Sequence, residues 1–85
     1  MNRQVIARRE YCSGGGPVEA TIALPQSFED SQESSWFATI TFHGLDHEVC
    51  QDVGGADAIQ ALGLACQLID VIAQSEDLQL LDRDN

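Results

Sequence analysis

Two histidines and two cysteines carry the side chains from which a metal site could be built. His43, His47 and Cys50 have the spacing H-x3-H-x2-C, and Cys12 is a candidate fourth ligand. A zinc site needs nitrogen or sulfur donors that converge tetrahedrally on one point. Residues an odd number of positions apart on a strand point to opposite faces, which separates Cys50 from His47. The spacing therefore indicates two surface histidines, and we expect no metal and no cofactor.

The sequence supports catalysis by a nucleophile or by an acid–base pair no better than it supports a metal site. A cysteine or serine nucleophile needs a histidine and an orienting acid nearby, and no spacing in the chain selects such a set. The carboxylates of Asp46 and Glu48 lie in polar sequence, without the hydrophobic surroundings that acid–base work requires. The glycine cluster at 13–17 precedes a predicted strand rather than a helix, so it indicates a turn and not a phosphate-binding loop. We therefore expect no catalytic residues and a protein that is not an enzyme.

Net charge is the most informative bulk property. Fourteen Asp and Glu residues oppose four arginines and no lysine, and the formal net charge is −10. Such a surface repels nucleic-acid phosphates and anionic membranes, so neither is an expected partner. It attracts basic proteins and accelerates their association. Acidity also keeps a small protein soluble, and this simpler explanation stays open.

Cysteine usage and the apolar segments predict a cytoplasmic protein. Three cysteines without CxxC spacing fit a reducing compartment, and the first residues lack the pattern of a signal peptide. Polar residues at Gln60, Gln67 and Asp70 interrupt the only long apolar segment, so we expect no membrane span. Within that segment Cys66 is expected to be a buried small hydrophobic residue.

Hydrophobic periodicity predicts a single α+β domain over residues 1–85. The predicted elements are strands at 5–12, 18–24, 36–43 and 47–53, a helix at 56–75 and a tail at 76–85. Short connections between consecutive strands favour a four-stranded antiparallel meander, with the long C-terminal helix packed on one face. Two strands alternate clearly, and their helix-facing residues are Val18, Ala20, Ile22 and Leu24, followed by Trp36, Ala38, Ile40 and Phe42.

The segment between these two strands is a candidate contact surface. Pro25 lacks an N–H and ends the second strand, and residues 26–35 are polar without a period, so they predict a long loop. Loops on a rigid scaffold often carry function. The candidate partner-contact residues are the loop acids and the aromatic residue just after them: Glu29, Asp30, Glu33 and Phe37.

The helix offers a second candidate surface. Asp57 is a natural N-cap or first-turn acid, because its carboxylate is favoured at the positive end of the helix dipole. The apolar part of the helix is far wider than the stripe of somewhat over ~100° that one sheet face covers. Either the rest of the chain or a second protein covers the flank formed by Leu64, Leu68 and Val71. We consider a homodimer through this flank.

Several of these segments resemble a family of small bacterial proteins of unknown function. The resemblance covers about residues 5–73. It lies in the arginine-containing first strand, the aromatic pair Trp36–Phe37, the Gly44–Leu45 turn and the helix opening G-x-D-x-x-Q-A-L-x-L-A at residues 55–65. The resemblance implies no activity and no catalytic residues.

The favoured hypothesis is a non-enzymatic, cytosolic protein-binding module with a basic partner. Small acidic proteins of this kind also resemble, by size and charge, immunity or antitoxin proteins that mask a toxin. The alternative is a structural homodimerisation domain, and a small enzyme or a metal-binding protein is a third possibility.

Overall fold

The computed structural model describes the backbone of residues 4–30 and 33–81, and the side chains of 28–30 and 33–34 lie outside that description. The fold is α+β, with one helix near the C-terminus packed on an antiparallel sheet. In chain order the elements are β1 (Val5–Ser13), β2 (Gly16–Ala23), β3 (Gln26–Asp30), β4 (Glu33–His43), β5 (Val49–Gly55), α1 (Ala58–Ser75) and β6 (Gln79–Leu80).

The long strand β4 organises the sheet. It pairs with β5 along one side and with β2 and β3 in succession along the other, and β1 and then β6 lie beyond β2. The four-stranded meander is therefore wrong in its number of strands, because the predicted loop at 26–35 contains β3 and the start of β4. Pro25 interrupts the ladder, as expected, but the chain keeps its direction and pairs again from Gln26.

Most of the predicted helix-facing residues are in the core, and Thr21, Ala23 and Thr39 on the opposite sheet face are buried as well. Val18, Ala20 and Ile22 are buried on β2, and Ala38, Ile40 and Phe42 are buried on β4. Trp36 is only partly buried against them. Leu24 is 47% exposed, because β2 ends one residue earlier.

The start of the helix is fixed by reciprocal capping. Asp57 accepts from the backbone N–H of Gln60 at 2.8 Å, as predicted, and the Gln60 side chain accepts from the N–H of Ala56 at 2.6 Å. This arrangement satisfies one of the N–H groups that a helix start leaves free, that of Gln60, and also the N–H of the residue before the cap. Just before it, a Cβ on Gly55 would lie 2.5 Å from the backbone N of Ala61, so the absence of a side chain lets strand and helix approach closely.

The helix covers only part of the sheet. Its buried residues are Ala61, Ala65, Ile69 and Ala73, and they pack chiefly on β4 and β5, with little contact to β2. The helix-facing side of β1 therefore stays partly open. This explains why Cys66 is exposed, against the expectation that it is buried, since it lies on the side of α1 that faces β1.

By length and composition alone, α1 could cross a membrane, although its polar residues predicted otherwise. Core helices of soluble proteins pass the same criterion, and α1 contributes four buried residues to the core of this domain. The criterion is therefore weak evidence for a membrane span.

Candidate functional site

The first candidate surface is a two-stranded projection that we call the hairpin arm, residues 26–30 and 33–35. Within the described chain, β3 has β4 as its only hydrogen-bonded neighbour. β5 reaches only as far as Trp36 on the other side of β4. The molecule is correspondingly elongated, at 46 × 29 × 24 Å with a radius of gyration of 14.0 Å. A compact domain of this length would have a radius of gyration of about 12 Å.

Strand pairing brings the predicted acidic contact residues together on this arm. The register places Asp30 opposite Glu33 and Glu29 opposite Ser34. Their side chains lie outside the described residues. Two like charges directly opposite each other on neighbouring strands are destabilising, and a two-stranded hairpin is only marginally stable by itself in water. The arm therefore combines low intrinsic stability with concentrated negative charge.

Phe37, the fourth predicted contact residue, lies at the base of the arm. It is half-buried and follows Trp36, which packs on the core, so Phe37 lies on the sheet face away from α1. Phe37, Asp52 and Gly54 line a shallow depression there. Asp52 is held in place because its carboxylate accepts from the hydroxyl of Thr39 at 2.6 Å. A partner on the arm would meet an apolar ring at this point.

The second candidate surface, which sequence reasoning missed, is a groove between β1 and α1. Its volume is about 130 Å³. The lining is mostly apolar and consists of Ala7, Arg8, Arg9, Ala20, Ile22, Cys66, Ile69 and Asp70. The hollow exists because the helix lies over β4 and β5, while two alanines, Ala7 and Ala20, leave space on β1 and β2.

An ion pair between strand and helix lies beside the groove. Nη1 of Arg9 is 3.0 Å from Oδ1 of Asp70, and both side chains are more than half exposed. The hydroxyl of Tyr11 lies buried close to this guanidinium, without the geometry of a hydrogen bond to any described group. The nearby Tyr11 phenol, and then the Asp70 carboxylate, raise the pKa of Arg9. Arg9 and Asp70 are 61 positions apart, so no local sequence signal could have paired them.

Both arginines within the described chain are matched by a carboxylate. Arg8 bonds Glu19 at 3.3 Å across the β1–β2 pair, and Arg9 bonds Asp70. The formal net charge of −10 already counts these two arginines, so the excess of negative charge lies on the other acidic residues of the chain.

The histidines form a separate cluster at the β4–β5 turn. Nδ1 of His47 is 2.7 Å from Asp46, and Nε2 is 3.4 Å from Glu76, which follows the helix. The hydrogen bond to Asp46 and the charge of Glu76 raise the pKa of His47. The described residues contain no group of three His, Cys, Asp or Glu side chains able to hold a metal ion.

The two cysteines considered as metal ligands, Cys12 and Cys50, do not lie together. Cys12 lies on β1 and Cys50 on β5, and β2 and β4 separate these strands. The thiol of Cys50 instead contacts the hydroxyl of Thr41 at 3.9 Å. Cys12, Cys50 and Cys66 are all free thiols and all exposed.

The predicted dimer flank lies on the side of α1 away from the groove, above β5. Leu64 is 39% and Val71 is 59% exposed, whereas Leu68 packs partly on the core. The helical spacing of these three residues puts them on one side of α1. The flank is thus a narrow apolar strip rather than a broad patch.

A family model matches most of the chain. It is described as a domain of unknown function, DUF6968, and it covers residues 7–79. No curated protein and no solved structure matched the chain.

Proposed function

We propose that this chain, which belongs to the DUF6968 family, is a cytosolic protein-binding module rather than an enzyme. It binds a basic protein through the hairpin arm. The observation that carries the proposal is the arm itself, a two-stranded projection on which strand pairing sets Asp30 opposite Glu33.

Electrostatics favours a basic partner. Both arginines in the part of the chain that the structure describes are paired with carboxylates, so neither is an unpaired cation that would repel a basic partner. Charges interact across about 8 Å at physiological ionic strength, and complementary charge chiefly raises the association rate. Binding should therefore weaken as salt is added.

The low stability of the arm favours the same conclusion. A partner that lies along the arm supplies cations for the opposed carboxylates and additional contacts for an otherwise marginal hairpin. Phe37 at the base adds an apolar contact of the kind enriched in protein interfaces. An immunity- or antitoxin-like role, in which the arm masks a basic toxin surface, is the specific form of this function that we propose.

Partner capture tests the proposal. The wild-type protein and an arm variant, Asp30→Asn with Glu33→Gln, are immobilised and exposed to lysate of the native host at low and high salt. The matched control, Glu48→Gln with Asp77→Asn, removes the same charge from outside the arm. We expect a basic protein that the wild type and the control retain and the arm variant loses.

The result that contradicts the proposal is equally specific. If the captured protein binds the arm variant as tightly as the wild type, or if its dissociation constant is independent of salt, the arm is not an electrostatic contact surface. For the immunity form, co-expression of the captured protein with the wild type, but not with the arm variant, should restore growth of cells that the partner inhibits.

Exposure of Leu64 and Val71 favours a second candidate, a homodimerisation domain. Light scattering over a range of concentrations tests it by comparing the wild type with Val71→Glu. A dimer that the substitution dissociates supports this role. A wild-type monomer at high concentration rejects it.

A further inference from the structure

The groove between β1 and α1 is a small, mostly apolar hollow beside a charged side chain. Its volume is about 130 Å³, and its apolar surface comes from Ala7, Ala20, Ile22 and Ile69. An apolar cavity of about 150 Å³ accommodates a benzene ring. The groove is open on one side, so a ligand with a ring or a branched chain of that size could enter without unfolding the domain.

The guanidinium of Arg9, which lines the groove, has donors that its ion pair does not use. A guanidinium carries five N–H donors, and the Asp70 contact of Arg9 is made through Nη1. The side chain is more than half exposed, so an acceptor at the mouth of the groove can reach it.

We propose that the groove binds a small monocarboxylate with an apolar body about the size of a benzene ring. The body lies against Ala7, Ala20 and Ile69, and the carboxylate accepts from the Arg9 guanidinium. The proposal is independent of the hairpin arm.

The charge of the protein restricts the ligand to a single negative charge. A net charge of −10 repels polyanions such as nucleotides over long distances. A single carboxylate needs only to replace Asp70 at Arg9. Both of those side chains are more than half exposed, and exposed ion pairs contribute little to stability, so the exchange costs little.

Titration with benzoate, followed by amide NMR shifts of the full-length protein, tests the site. Benzyl alcohol has a ring of the same size without the charge and serves as the matched neutral probe. We expect saturable shifts centred on Ala7, Ala20, Cys66 and Asp70, and benzoate affinity at least tenfold above that of benzyl alcohol. Shifts that stay linear to the solubility limit, or equal affinity for the two probes, overturn the proposal.

Two substitutions at the ion pair should change the affinity for benzoate in opposite directions. Arg9→Gln should weaken benzoate binding about tenfold, whereas Asp70→Asn should tighten it several-fold by removing the competing carboxylate. A purely structural role of the pair predicts that both substitutions weaken binding, and that outcome overturns the assignment.

Filling the groove provides a steric test. Ala7→Leu places a larger side chain on exposed β1 and should abolish benzoate binding. Gln67→Leu adds similar apolar bulk on the solvent side of α1 and should leave binding unchanged. Urea unfolding of each variant verifies that it is folded. Unaltered benzoate affinity in folded Ala7→Leu places the ligand elsewhere and refutes the proposal, whatever the outcome of partner capture on the arm.

Discussion

The close approach of strand β5 to the start of α1 makes Gly55 a position where one added methyl group should be costly. A Cβ at Gly55 would lie 2.5 Å from the N of Ala61, 2.9 Å from its Cα and 3.0 Å from the carbonyl carbon of Gln60. All three atoms belong to the backbone and cannot rotate away. Gly55→Ala therefore has to separate the helix from the strand or distort the cap at Asp57.

The expected magnitude follows from two opposing effects. Overpacking of a well-packed region costs about 1–3 kcal/mol, and replacing glycine with alanine recovers about 0.4–1 kcal/mol by restricting the unfolded chain. We expect a net loss of about 1–2 kcal/mol in the free energy of unfolding. For a domain of this size, each kcal/mol corresponds to about 4–8 °C in the melting temperature.

Two other glycines provide matched controls for the same chemical change. At Gly54, the next residue along β5, a Cβ would meet nothing closer than the carbonyl oxygen of Trp36 at 3.8 Å, so alanine should be nearly neutral. At Gly63, on the exposed side of α1, a Cβ has open space. There, alanine should stabilise the protein by about 0.5–1 kcal/mol through helix propensity.

Urea unfolding monitored by far-UV circular dichroism measures all three variants, with the fluorescence of Trp36 as a second probe. The predicted order of stability is Gly63→Ala, then wild type and Gly54→Ala, then Gly55→Ala. If Gly55→Ala unfolds at the same urea concentration as Gly54→Ala, the helix is not held against β5 as closely as described, and the reasoning fails.

Three further predictions concern charged groups. Asp57→Ala should cost about 0.5–2 kcal/mol through loss of the helix cap, and urea unfolding should show that Asp57→Asn, which keeps the acceptor, costs much less. Because Asp46 raises the pKa of His47, an NMR titration should give a midpoint above the usual 6.5. The part of the free energy of unfolding that depends on protonation of His47 should be fully present below pH 6.5 and lost as pH rises through the raised pKa. In unfolding measured at several pH values, His47→Gln should abolish this dependence. Asp30→Asn with Glu33→Gln should stabilise the free protein by about 0.2–1 kcal/mol in thermal unfolding, because a like-charge pair is removed, although we expect the same variant to bind the proposed partner more weakly.

Sequence patterns predicted the two central strands and the helix cap, because these depend on residues that are close together in the chain. Alternation along β2 and β4 identified the buried residues Val18, Ile22, Ile40 and Phe42 because the helix covers the sheet face on which they lie. The cap at Asp57 was predictable because it depends on residues within a single helical turn.

The same reasoning failed where pairing is decided by distant residues. Strand β3 has no alternating hydrophobic signal, because in a two-stranded projection neither face is covered by the helix, and its polar sequence is typical of a loop. The groove at Arg9 and Asp70 could not be predicted, because it depends on where α1 lies across the sheet. That position follows from the small side chains of Ala61 and Ala65 and from the close contact at Gly55.

The break in the ladder at Pro25 has a consequence for how the domain opens. Amide protons of β2 and of the central part of β4 lie between paired strands and should exchange with solvent only when the whole domain unfolds. The amide protons of β3 face only one paired strand, β4, and Pro25, which has no N–H, separates β3 from β2. They should therefore exchange through local opening. The domain would then consist of two cooperative units that share β4, and the hairpin arm could separate and re-form while the helix and the rest of the sheet stay folded.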